Sequence, residues 1–149
     1  MGLFDRLRGG PSAPANVGIF VDGPNVFREE FDVDLDDLRA LTEAEGTSTI
    51  ARVYVDENAG GGLIQAAEAR GFEVVTTSGD VDVKLAVDAV EAAVEGRIDT
   101  LLIVSRDTDF KPVIETAKKR GLNTIAVAPG TYGRSDALRN AAHEEVTLE

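Results

Sequence analysis

Residues 100–128, TLLIVSRDTDFKPVIETAKKRGLNTIAVA, read as strand, loop, helix and strand in succession. After Thr100 the first strand, to Val104, is apolar at every position. A strand of that kind is covered on both faces rather than on one. Residues 110–120 read as a helix ended by Gly121, and residues 123–128 return as a second apolar strand. Two buried strands joined through a helix form a parallel β-α-β unit. Between the strand and the helix stand two carboxylates, Asp107 and Asp109, one residue apart. Like charges at that spacing cost stability, so their presence where a strand runs out calls for a reason.

Working outward, the same alternation fills the chain. Residues 17–21 (VGIFV) form a strand, followed by a turn, DGPN. A helix from about Asp34 carries Leu35, Leu38 and Leu41 at helical spacing. Strands follow at 50–55 and 72–77, separated by a helix over 61–71 that Gly71 closes. A helix over 81–95 ends at Gly96. A helix near 135–142 and a short strand at 145–148 complete the pattern. The expected fold is therefore α/β, a three-layer α/β/α arrangement with a mostly parallel sheet of five to six strands. Sites in such folds collect at the carboxyl ends of the strands, near the point where strand order reverses. Residues 1–16 read as a loosely ordered tail and linker, with Leu3, Phe4 and Leu7 beside Arg6 and Arg8. One domain over 17–149 follows.

Composition limits the chemistry. The 149 residues contain no cysteine and one histidine, His143, which reads as a surface residue. Disulfides, thiol nucleophiles and zinc-thiolate sites are excluded, and a histidine-based triad is disfavoured. The net charge is -12, from 27 acidic and 15 basic residues, and only four of the basic residues are lysines. An acid excess spread along the chain, poor in lysine, resembles the surfaces of proteins that work in molar salt. No apolar run approaches a membrane span and no cleavable leader is visible, so the expected location is cytoplasmic, away from any membrane.

The parallel-sheet reading brings the acids together. Asp22 follows strand one, Asp80 and Asp82 follow strand three, and Asp107 and Asp109 follow strand four. Adjacent strands one and four would place these groups near one another and raise some of their pKa values. A hard divalent cation, Mg²⁺ or Mn²⁺, relieves such repulsion with oxygen ligands. Each acid also has a local alternative. Asp22 can cap its turn with Asn25, Asp109 can cap the helix that contains Pro112, and Asp82 can face a helix N-terminus. Asp88 is placed differently. It falls on a polar stripe with Lys84, Glu91 and Glu95, and Val83, Val87, Val90 and Val94 mark the expected buried side. Residues 59–62 (AGGG) lack the Lys-Ser/Thr of a phosphate loop. Tyr132 and Arg134 stand in a loop that could stack on or contact a phosphate.

At VGIFVDGPNVF, GDVDVKLAVDAV and LLIVSRDTDFKPVIETAKKRGLNTIAVA the sequence resembles the NYN domains, the PIN-like nuclease group that includes LabA-like proteins, and most nearly an archaeal branch. The resemblance implies a Rossmann-like, PIN-type sheet and a Mg²⁺- or Mn²⁺-dependent endoribonuclease acting on single-stranded RNA. It implies Asp22, Asp82, Asp107 and Asp109 as catalytic, metal-binding residues. Asn25 and Ser105 would orient water or phosphate, and Arg106 and Lys84 would neutralise phosphate. The chain departs from the group where Gly79 and Asp80 replace Lys-Gly, and where Arg106 and His143 replace Gly and Asp. A homodimer is a further partner option. The alternative function is a non-catalytic RNA- or nucleotide-binding regulatory module that keeps the acidic pocket. A Toprim-type domain would require Glu where Asp22 stands. A receiver domain would require paired acids after strand one.

Overall fold

The computed structural model describes residues 13–28, 33–130 and 135–148. Most of the proposed tail, with Tyr132 and Arg134, lies outside the described residues. The elements run β1 (Asn16–Asp22), a one-turn helix α1 (Gly23–Val26), α2 (Leu35–Glu45), β2 (Thr47–Asp56), α3 (Gly61–Ala69) and β3 (Glu73–Thr77). They continue with α4 (Val81–Val94), β4 (Thr100–Val104), a 3-10 turn (Thr108–Phe110), α5 (Lys111–Lys119), β5 (Asn123–Ala128), α6 (Asp136–Ala141) and β6 (Glu144–Thr147). The expected helix-ending glycines Gly71, Gly96 and Gly121 have φ of 84°, 70° and 86°, a left-handed conformation that glycine adopts without strain.

One six-stranded sheet has the order β3-β2-β1-β4-β5-β6, and every adjacent pair is parallel. The chain builds outward from β1 to β3, then crosses back through α4 to place β4 on the other side of β1. The order therefore reverses between β1 and β4, and their carboxyl ends flank the crevice. Both faces are covered. Phe20, Leu101 and Ile103 pack with Leu85, Phe110, Ile114 and Leu138 under α4, α5 and α6. Ile19, Val21, Leu102 and Val104 pack with Leu38, Ala67 and Phe72 under α2 and α3. Alternate side chains of one strand enter opposite cores, which is why the central strands are apolar throughout.

Two local features shape the crevice. A Cβ on Gly23 would meet the Tyr54 carbonyl of β2, so only glycine lets α1 lie against that strand directly after Asp22. On α4 the expected faces hold only in part: Lys84, Glu91 and Glu95 are exposed as expected and Val90 packs against the core, but Asp88 and three of the valines change places. Val81, Leu85, Asp88, Ala89, Ala92 and Ala93 are buried, whereas Val83, Val87 and Val94 are 56%, 55% and 48% exposed. Both stripes fit a period of 3.6 residues. The alanine stripe faces the sheet, because small side chains let the helix axis approach it closely. Asp88 is consequently a buried residue, not a solvent-facing one.

Candidate metal centre

The site starts from strand register. Val21 pairs with Val104, so the next residues, Asp22 and Ser105, are level at the carboxyl edge. Ser105 Oγ donates to Asp22 Oδ2 at 3.1 Å, and both residues are buried. The same hydroxyl accepts from the Asp107 amide at 3.0 Å. Asn25 Oδ1 accepts from the Arg106 amide at 2.9 Å, which ties the loop after β1 to the loop after β4. Asp107 Oδ1 accepts from the Asp109 amide at 2.9 Å, so Asp107 caps the 3-10 turn. The sequence points to Asp109 as that cap. The extra turn ahead of α5 transfers the duty to Asp107 and leaves the Asp109 carboxylate exposed.

Asp82 lies in the first turn of α4, after Asp80 at the N-cap position. Carboxylate oxygens of Asp82, Asp107 and Asp109 lie within 4.8 Å of one another. Asp22, Asp82 and Asp107 line one open cavity of about 320 Å³. Asp56 and Asp80 add to its acidic wall, and Asn25 and Arg28 complete it. Burial pushes the Asp22 carboxyl up to about 6. The charges of Asp107 and Asp82 add to that, while hydrogen bonds from Ser105 and the Asn25 backbone oppose it. Among the described residues, no ion pair neutralises Asp82, Asp107 or Asp109. Close carboxylates offering only oxygen donors fit a hard divalent cation, which takes several such ligands and keeps some of its water.

Behind this cluster, Asp88 joins α4 to β2. Its Oδ2 accepts from the Tyr54 hydroxyl at 2.8 Å, its Oδ1 from Lys84 Nζ at 3.1 Å, and Arg52 Nη1 stands 3.7 Å away. Burial, then the Asp88 carboxylate, raises the Tyr54 pKa and keeps the phenol protonated. Lys84 is thus held by Asp88 and does not line the acidic cavity. Arg106 does not line it either; Arg28 does. Asp56 and Arg28 were not among the residues singled out from sequence. Asp56 ends an apolar strand and obeys the same strand-end logic as Asp22 and Asp107. It directly follows the strand expected over 50–55, so its signal stood in the sequence. Arg28 carries no sequence signal of its own, since only the path of the chain after α1 brings it to the mouth.

Comparison with known proteins agrees with the fold. A crystal structure of a protein of unknown function from Vibrio parahaemolyticus superposes with a TM-score of 0.80 at 22% identity, covering 93% of this chain and 95% of that one. An uncharacterized protein from the archaeon Methanocaldococcus jannaschii is 43% identical over 126 residues, or 85% of this chain. The chain spans about half, 52%, of the length of that curated relative. The family model described as "NYN domain" matches residues 16–149. The chain belongs to the NYN domain family, within the PIN-like nuclease superfamily.

Proposed function

We propose that the chain is a metal-dependent ribonuclease that hydrolyses phosphodiester bonds of single-stranded RNA. The observation that carries this reading is the meeting of Asp82, Asp107 and Asp109 within 4.8 Å, beside buried Asp22, at the reversal point of an NYN-family sheet. Asp22, Asp82, Asp107 and Asp109 would hold Mg²⁺ or Mn²⁺. A cation of that kind supplies Lewis-acid stabilisation of the phosphate and a water of lowered pKa.

The chain's own groups prepare the site. Ser105, 2% exposed, acts as a positioning residue, holding the Asp22 carboxylate with its hydroxyl and the Asp107 backbone with its oxygen. Asn25 keeps the two loops in register and lines the cavity. Arg28 provides the positive charge in the cavity wall. An acidic cleft with one wall cation admits a flexible single strand more readily than a stiff duplex, because the strand can thread one phosphate at a time past the carboxylates.

The test is cleavage of mixed single-stranded RNA in molar KCl. Hydrolysis should require Mn²⁺ or Mg²⁺, stop with EDTA, and fall at least about 100-fold in Asp107→Asn, the scale expected when a charge-stabilising group is lost. Metal-independent cleavage, or full activity in Asp107→Asn, would refute the assignment. RNA binding without any cleavage would establish the regulatory-module alternative instead.

A further inference from the structure

The chain has four lysines, and three of them, Lys111, Lys118 and Lys119, stand on α5. They line a groove of about 510 Å³ between α5 and α6, with Glu115, Ala137 and Asn140. All three lysines are exposed, and none makes an ion pair among the described residues, whereas Lys84 is paired with Asp88. In a chain of net charge -12, the lysines without an ion pair are gathered on one helix, around a groove in which Glu115 is the only acid among the described lining residues. The helix dipole accounts for Lys118 and Lys119 in the last turn, where cations are favoured, but it opposes Lys111 at the N-terminus.

We propose that this groove binds the phosphate backbone of single-stranded nucleic acid and forms a track leading to or from the carboxylate cluster. Spacing selects the ligand. Lys111 and Lys118 are seven residues apart, about 10 Å along the helix, too far for one phosphate to engage both. An extended polyanion engages both, and backbone phosphates meet lysines as point charges without regard to base sequence. Position supplies the direction, because Lys111 comes two residues after Asp109, where the chain leaves the carboxylate cluster. The track rests on the ribonuclease reading for its role but not for its binding chemistry, so the two are tested separately.

The variant is Lys118→Gln/Lys119→Gln. Neither residue takes part in the carboxylate site, and both side chains are exposed. The control, Arg39→Gln/Arg70→Gln, removes the same charge from α2 and the end of α3, on the opposite face of the sheet. Binding of a labelled oligouridylate is measured by fluorescence anisotropy in EDTA across a KCl series. Cleavage of a uridine dinucleotide with Mn²⁺ is measured in parallel. The lysine variant should bind at least about 5-fold more weakly in dilute salt, and its log–log salt slope should be smaller by roughly 1.4, since each lost contact on a single strand removes about 0.7. The control should stay within about 2-fold of wild type, and dinucleotide cleavage should be unchanged in both variants.

Superimposed isotherms for wild type and the lysine variant would overturn the track, as they would if the groove instead received an acidic protein. An equal loss in the control would overturn it by showing a general charge effect, and no oligouridylate binding by wild type would overturn it outright. Lysine-dependent binding by a protein that leaves both the dinucleotide and mixed single-stranded RNA uncut with Mn²⁺ keeps the track and defeats the ribonuclease reading. Cleavage with lysine-independent binding does the reverse.

Discussion

Asp22 bears the energetic cost of the site. It is 5% exposed, and its carboxyl is pushed from 3.8 to about 6, by burial first and then by Asp107 and Asp82. The folded state therefore holds that proton more tightly than the unfolded chain does. Ionising Asp22 removes stability from about pH 4 upward, and the loss is complete above about pH 6. A rise of about two pKa units corresponds to at most about 3 kcal/mol. Asp22→Asn keeps an oxygen for Ser105 and removes the charge. In EDTA its melting temperature should match that of wild type near pH 4, exceed it increasingly up to about pH 6, and keep that margin at pH 7. A difference that stays constant with pH would show that Asp22 is not the strained group. Asp107→Asn removes one of the charges that push Asp22 up, and it should lose most of the thermal shift that Mn²⁺ gives wild type, because a ligand stabilises only the state that binds it.

Among the elements, α4 decides most. It brings Asp82 to the cavity from its first turn and is anchored two turns later by Asp88 to Tyr54, Lys84 and Arg52. Asp88→Asn leaves Lys84 without its acid, removes the more distant of the two acids beside Arg52, and weakens the bond to the buried phenol. It should destabilise the fold by about 1–3 kcal/mol in urea titrations, which separates it from Asp22→Asn and Asp107→Asn, both stabilising without metal near neutral pH. The two faces of the helix are distinguished by a matched pair of substitutions. Leu85→Ala, on the buried face, should cost about 2–5 kcal/mol. Val87→Ala, at a residue 55% exposed, should stay within about 0.5 kcal/mol. Equal costs would contradict the orientation of α4.

For the whole molecule, charge is the dominant property. Most ion pairs among the described residues join arginines to exposed acids, such as Arg39–Glu43, Arg70–Asp36 and Arg139–Asp136. Exposed pairs of this kind contribute little each. The net charge of -12 repels over longer range and is screened within about 3 Å at molar salt. Added KCl should therefore remove more repulsion than attraction, and the melting temperature should rise from dilute to molar KCl. A flat or falling curve would count against adaptation to high salt. No described helix is long and apolar enough to cross a membrane.

Local chemistry was enough to determine the element order, because each apolar strand, each helix-ending glycine and each acid after a strand is a short-range pattern. The candidate acids Asp22, Asp82, Asp107 and Asp109 were legible for the same reason, since strand ends in a parallel sheet share one edge. Tertiary structure decided what short-range pattern leaves open. It chose which of two equivalent stripes of α4 faces the sheet, because alanine permits a closer approach than valine, and so it buried Asp88. It transferred the cap from Asp109 to Asp107 by inserting a turn ahead of α5. It brought Arg28 into the cavity wall through the path of the chain after α1. Proximity across the sheet depends on packing distance and register, which residue spacing along one chain does not encode.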